Sequence, residues 1–356
     1  MYDFVIIGGG IAGISTAAAL APLGSVLVLE AEEHYGLHAS GRSAAVFVEN
    51  YGNPTVRALN TASLPTLEKL DVLSPRGVLL LGRQQDRSMF DAERVDMKME
   101  EIALQEAYQK LPIINMKRCA MAAYSTDAQD IDTDFLLQTY LRRAREAGAV
   151  TYVGQQVRAI SRNSKGWHIE ASGDLFFGTH LINAAGAWAD GIAQMAGVAA
   201  LGILPKRRSM AQLPAPLGQD TLSWPLTIGA SGDWYAKPSG AKWIVSPADA
   251  KAVEPHDAWA DDMVIAEGLA RYEAMVTVPV TRVETSWAGL RSFSPDGSLI
   301  LGPDPHDPQF FWCAAQGGYG FQTAPAAAQL VAELANGRSP SLDPQIVASL
   351  APDRFL

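Results

Sequence analysis

Near the N-terminus the chain reads DFVIIGGGIAGISTAAALAPLGSVLVLE, and few folds accommodate such a stretch. An apolar run, Asp3–Ile7, enters a glycine cluster. An alanine-rich run, Ile11–Leu23, follows, and a second apolar run, Val26–Glu30, ends on a carboxylate. This is the pattern of strand, tight turn, helix and strand, with strands apolar throughout because a parallel sheet covered on both sides is buried on both faces. Gly8, Gly10 and Gly13 fit the spacing G-x-G-x-x-G. The first glycine permits the turn, the second lets a pyrophosphate approach the backbone, and the third lets the helix pack closely on the sheet. Phosphates would then meet free N–H groups at the positive end of the helix. Glu30 stands where a carboxylate accepts hydrogen bonds from an adenosine ribose, which disfavours a 2′-phosphate. A glycine-rich turn in an unrelated α/β protein is the alternative. The strand before the motif, the helix after it and the acid that completes it all support dinucleotide binding.

The uncharged span Phe4–Leu29 also has the length of a membrane helix. Its glycines, Pro22, the preceding Asp3 and the lack of a basic leader argue against a membrane span or signal peptide, so no transmembrane segment is expected. With 356 residues the chain suits two domains, or one large α/β domain holding a second sheet. A formal net charge of −10 disfavours nucleic acid and anionic lipid as partners but leaves room for a small anion held by local arginines. Cys119 and Cys313 form neither a disulfide framework nor a metal spacing, so a cytoplasmic protein without metal is expected, with a peripheral place at the inner membrane face as a variant.

Later segments separate the possible dinucleotides. HASGRSAA (38–45) suits a loop lying on phosphates or a flavin, or equally a plain surface loop. Asp132 or Thr133 can cap a helix whose Leu137, Tyr140, Leu141 and Ala144 share one face, ended by Gly148. Val150–Val153 follows as a strand. A meander then leads through His180–Asn183 into Ala184, Ala185 and Gly186, a second point where a cofactor can approach the backbone. FFWCAAQGGYGFQTAPAAAQLVAEL again takes an apolar strand into Gly317, Gly318 and Gly320 and then a helix, whose N-terminus suits a carbonyl gaining negative charge. A nicotinamide enzyme needs only the first of these pieces. Three of them spread along the chain indicate one long cofactor, FAD.

The motifs GGGIAG with Glu30, HASGRSAA, IDTDFL, LINAAGAW, KRRS, WAGLRSFSPDG and AAQGGYGFQT resemble, in order and over nearly the whole chain, the D-amino acid oxidase superfamily of FAD oxidoreductases. Within it the chain most resembles bacterial D-arginine dehydrogenase-like D-amino acid dehydrogenases. The resemblance implies an α/β fold in which a glutathione-reductase-like, Rossmann-type FAD domain (1–50, 131–200 and 286–356) carries an inserted mixed-sheet substrate domain (51–130 and 201–285). It implies FAD held without a covalent bond by Gly8, Gly10, Ile11, Ala12, Gly13, Glu30, Ala31, Ser40, Gly41, Arg42, Ser43, Ala44, Ala45, Val157, Ala185, Gly186, Trp188, Arg291, Gly317, Gly318, Tyr319, Gly320, Gln322 and Thr323. The implied reaction removes hydride from a substrate Cα–H, and the resulting imine hydrolyses to a keto acid and ammonia. Arg291 is the first candidate to clamp a substrate carboxylate and Arg208 the second, with Tyr51 and Tyr235 as phenol partners and the Gly318 carbonyl for the substrate amine.

Each role has a plainer counterpart. Arg291 lies among apolar residues, where burial without a task is costly, which favours function. Arg207 and Arg208 read equally as surface charges, Tyr51 and Tyr235 as packing aromatics, His38 as a structural loop residue, and Cys313 as core rather than a flavin link. Relatives acting on basic substrates place polar groups where this chain has Val46, Val48 and Val78, so an apolar or small substrate side chain is expected; Glu49 would face away from a strand neighbour. A secondary amine such as sarcosine, a 2-hydroxy acid, a flavin subunit of a larger complex, and an FAD-binding protein without turnover are the competing readings. No motif distinguishes oxygen from quinone as electron acceptor.

Overall fold

The computed structural model describes residues 1–216 and 220–355. Tyr2–Ile7 lies at the centre of the first large sheet, flanked in parallel by Val26–Leu29 and by the C-terminal part of Asp174–Asn183. Val150–Tyr152 extends one side and Phe310–Ala314 the other, again in parallel. Ile300–Pro303 closes that edge antiparallel, and Val157–Asn163 and Gly166–Ala171 add an antiparallel meander. Helices Ile11–Leu20, Thr133–Glu146 and Gly320–Ala335 cover one face with Ile14, Leu20, Leu136 and Leu330. Trp167, Phe310 and Trp312 fill the other. Both central strands are therefore buried on both sides, which is why their sequence lacks alternation. Asp132 caps the middle helix by accepting from the Phe135 amide at 2.9 Å, and Gly148 follows its end at φ +94°.

The second sheet runs in the order Thr285–Phe293, Leu204–Pro214, Lys242–Ser246, Tyr235–Ser239, Leu226–Gly229, Val78–Gly82, Met121–Ser125, Glu100–Ile102. It is mixed, because Leu226–Gly229 pairs with Val78–Gly82 in parallel and with Tyr235–Ser239 antiparallel. Alternation divides its residues between two faces. Leu79, Leu81, Ala211, Trp234, Ala236, Trp243 and Val245 form a core with Ile265, Leu269, Tyr272 and Met275 of helix Asp262–Met275. That helix is capped by Asp261, which accepts from the Met263 and Val264 amides. The opposite face, with Val78, Leu80, Met121 and Ala123, packs with Val48 and Phe90. A small sheet of Val46–Phe47, Gln129–Ile131 and Leu73–Pro75 stands between. Asp130 ties it to the large sheet by accepting from Arg76 Nε at 2.8 Å and from Lys237.

Two elements pack across the expected domain division. Strand Thr285–Phe293, which from residue 286 falls in the expected cofactor part, pairs along its length with Leu204–Pro214 of the second sheet. Helix Pro54–Lys69, placed in the insert, buries Val56, Leu59 and Leu67 in the cofactor-side core beside helix Gly320–Ala335. Among the described residues no helix is long and apolar enough to cross a membrane.

Candidate active site

A continuous cavity of about 530 Å³ runs from the glycine turn to the second sheet. Its first end is built by backbone rather than by side chains. Gly8 has φ +112°, and a Cβ there would stand 2.3 Å from the Ala184 carbonyl oxygen, so the turn and the Ala184–Gly186 segment touch. A Cβ on Gly13 would lie 1.9 Å from the Gly8 oxygen, so this glycine serves helix packing and is not on the cavity wall. A Cβ on Gly10 would meet only the Ser40 hydroxyl, at 3.2 Å, and that hydroxyl accepts from the Ile11 amide at 3.0 Å. Glu30 is buried at the cavity edge, where its carboxylate accepts from the Gly9 amide at 2.5 Å and the Glu32 amide at 2.9 Å.

The 38–45 loop lies along the cavity, with Ser40, Arg42, Ser43, Ala44 and Ala45 on its wall. The Arg42 guanidinium donates to the carbonyls of Ala258 at 2.8 Å and Ala288 at 3.0 Å and to Asp257 at 2.5 Å. It thereby pins residues 256–258 of the insert across the cavity, which His256 and Ala258 also line. His38 tilts against Trp188 at 4.7 Å and bonds Glu32 at 2.8 Å. Ile11, Ala12, Ala31, Val157, Ala185, Gly186 and Trp188 line the wall too. Gly41 forms a tight turn, its amide donating to the Gly36 carbonyl at 2.6 Å, and stays off the wall, as does the buried Thr323, whose hydroxyl donates to the Tyr319 carbonyl at 2.9 Å.

Gly317, Gly318, Gly320 and Gln322 bring the start of helix Gly320–Ala335 to the cavity. Gln322 is buried. Its Oε1 accepts from the Val48 amide at 3.3 Å, and its Nε2 has no partner. A buried donor left unpaired on a cavity wall fits a ligand acceptor.

The far end is cationic. Neighbours on strand Leu204–Pro214 point to opposite faces, which separates two adjacent arginines. Arg207 turns to Asp249 at 3.3 Å and Asp261 at 3.6 Å. Arg208 faces the cavity, its guanidinium 5.8 Å from the Tyr235 ring and its buried Nε without a partner. Arg291, on the adjacent strand, lies against Gly318, where an added Cβ would be 2.9 Å from Nη1. Among the described residues neither Arg208 nor Arg291 has an ion-pair partner, and the only acids on the cavity wall are Glu30 and Glu32 at the other end. Burial and the neighbouring Arg291 push Arg208 below its ordinary range. Burial opposes the charge of Arg291 too, but the oxygens of Tyr235, Tyr51 and Tyr319 outweigh it and hold the group protonated. Burial raises the Tyr235 phenol, yet Arg291 and Arg208 together bring it below the usual tyrosine value. Tyr51 is exposed and meets Tyr319 edge-on at 5.3 Å, both off the cavity wall; burial and Tyr51 push Tyr319 up to about 12.

The expected valine wall is reduced to one member. Val46 lines the cavity, whereas Val48 and Val78 sit behind it with Leu80, Phe90 and Met121. Glu49 accepts from the Thr61 hydroxyl at 2.7 Å and is not on the wall. Met210, Ser292, Gln316, His256 and Ala258 line the cavity without having been singled out in the sequence. Only Met210 had a usable signal, since it follows Arg208 by two residues on one strand.

A Rossmann-type sheet with a glycine turn, a buried carboxylate at the end of its second strand and a second mixed sheet over one long cavity is the arrangement expected of a flavin-dependent oxidoreductase. The chain belongs to the FAD dependent oxidoreductase family (DAO), whose profile matches residues 3–334. It is 25% identical over 399 residues to FAD-dependent oxidoreductase domain-containing protein 1 of Bos taurus, covering 93% of this chain and 80% of that protein. It is 24% identical over 371 residues to N-methyl-L-tryptophan oxidase of Salmonella typhimurium, covering 96% of each. Its fold matches glycine oxidase from Geobacillus kaustophilus with a TM-score of 0.84 at 22% identity, over 100% of this chain and 99% of that one. The cofactor is FAD. When bound, FAD supplies the hydride acceptor; the protein supplies position and electrostatics.

Proposed function

We propose that this protein oxidises a small α-amino acid at its Cα–N bond, with the substrate carboxylate held between Arg291 and Arg208. The expected substrate has D configuration and an apolar or small side chain; the imino acid leaves to hydrolyse to a 2-keto acid and ammonia. The observation that carries this reading is the pair of cavity-facing guanidiniums without an ion-pair partner among the described residues. Buried cations without counter-charge are costly, and a planar fork matches a carboxylate bidentately. Tyr51 and Tyr235 stand near them as phenol partners, and the carbonyl of Gly318, which lies against Arg291, would take the substrate amine. FAD contacts from the glycine turn, the 38–45 loop and the helix at Gly320 complete the reading. Met210, two residues from Arg208 on one strand, and Val46 elsewhere on the cavity wall support an apolar side chain. Buried free thiols at Cys119 and Cys313 agree with a cytoplasmic setting.

A secondary amino acid is the second reading, favoured by the similarity to N-methyl-L-tryptophan oxidase. The test is anaerobic mixing of the yellow protein with D-amino acids, L-amino acids, sarcosine and 2-hydroxy acids while following the visible flavin band. Bleaching by apolar D-amino acids supports the proposal. Bleaching by sarcosine or L-amino acids alone moves the assignment to those substrates, and a band that none of them bleaches overturns it. Readmitted oxygen then separates an oxidase from a dehydrogenase.

A further inference from the structure

We infer that Met210 is the residue that sets the size limit of the substrate side-chain pocket. This rests on the carboxylate-clamp reading above and adds the wall that limits what the clamped molecule can carry. Met210 and Arg208 lie two residues apart on strand Leu204–Pro214 and project from the same face into the same cavity. At a rise of about 3.3 Å per residue their Cα atoms are about 6.6 Å apart. The carboxyl carbon and Cβ of an amino acid are about 2.5 Å apart, since two bonds of about 1.5 Å separate them. A side chain of a few carbons directed along the strand from the clamp therefore ends at Met210. Tyr235 lines the same cavity and touches Met210 there.

Two further features make Met210 a wall rather than a passive filler. It is 2% exposed even though it borders the cavity, so its side chain is held by its surroundings rather than by solvent. Its sulfur accepts the Tyr235 hydroxyl at 3.4 Å, a bond that fixes the thioether in place. Tyr235 thus braces the side-chain wall at the same time as it flanks the guanidiniums. Methionine is unbranched and polarisable, which suits a wall that moulds to small apolar groups. The valines at 48 and 78, which the sequence offered for this role, are shielded from the cavity.

The test uses the FAD-loaded protein and carboxylates that cannot react, acetate and phenylacetate, titrated while following the perturbation of the flavin band. In Met210→Ala the affinity for acetate stays within about twofold. Phenylacetate binds about tenfold or more tightly than to the parent protein, because apolar room of one or more methylenes changes affinity by about 10- to 200-fold. Met210→Leu, which conserves volume, keeps the parental ratio of the two affinities. Should Met210→Ala fail to retain FAD, Met210→Val, which still removes length and suits a strand, is compared in the same way and decides the matter. A phenylacetate-to-acetate ratio unchanged in the shortened variant overturns the role of Met210 while leaving the clamp intact. If neither carboxylate perturbs the parent protein, the clamp itself fails, and with it this inference; that outcome is seen before any variant is made.

Discussion

Gly318 offers a perturbation whose size can be worked out from the geometry. An added Cβ would stand 2.9 Å from Arg291 Nη1 and 3.1 Å from Cζ, where ordinary contact begins near 3.4 Å. Gly318 does not have a positive φ, so alanine meets no backbone strain there. The atom in the way is the tip of a flexible side chain, so the guanidinium yields and the fold survives. It must retreat by about 0.5 Å, the difference between 3.4 and 2.9 Å. A misplacement of about 1 Å costs about 10²-fold in rate, so half of that costs about tenfold. Losing one charge-assisted hydrogen bond to a substrate carboxylate would add about 1.5–3 kcal/mol. Gly318→Ala is therefore expected to bind FAD normally, to melt within a few degrees of the parent, and to lose about 10- to 100-fold in carboxylate affinity and in kcat/KM. Flavin-band titration with acetate and steady-state kinetics on the best amino acid measure both. Parental carboxylate affinity in a folded, FAD-loaded Gly318→Ala would refute the assignment of Arg291 as the clamp.

Four other expectations follow from the same geometry. Gly8→Ala puts a side chain 2.3 Å from the Ala184 carbonyl at φ +112°, with backbone on both sides and nothing free to yield; it should lose FAD binding and soluble yield, read by flavin content and thermal melting. Arg42→Ala releases two carbonyls and a carboxylate and should speed FAD dissociation, followed by the return of free-flavin fluorescence. Asp257→Asn should have a much smaller effect, because that side chain is 73% exposed and exposed pairs contribute little. The depressed Tyr235 phenol predicts that carboxylate affinity falls as pH rises toward the tyrosine range, because a phenolate beside Arg291 and Arg208 competes with the ligand; Tyr235→Phe should remove that dependence.

The parts of the site that lie close together in sequence were legible there. Gly8, Gly10, Gly13 and Glu30 all belong to one strand–turn–helix–strand unit, whose geometry is set by local backbone requirements. The substrate end depends on strand register, which local sequence does not carry. Arg207 and Arg208 are chemically the same, and only the pairing of Leu204–Pro214 with Thr285–Phe293 shows which one faces the cavity. Val48 and Val78 are apolar at the expected positions, yet the face they occupy packs against Phe90 and Met121. Arg42 belongs to a loop expected to lie on phosphates or a flavin. Its hydrogen bonds reach across more than two hundred residues to Ala258 and Ala288, a contact no local pattern encodes.

The central claim is that recognition begins with a carboxylate held by Arg291 and Arg208, and a matched pair of substrates tests it most directly. The FAD-loaded protein is mixed anaerobically with D-leucine and, separately, with 3-methylbutylamine, the same molecule without its carboxylate, and the flavin band is followed. The account predicts bleaching by the amino acid alone, and loss of that bleaching in Arg291→Ala with the FAD still bound. Equal bleaching by the amine, or an unaffected Arg291→Ala, would contradict it.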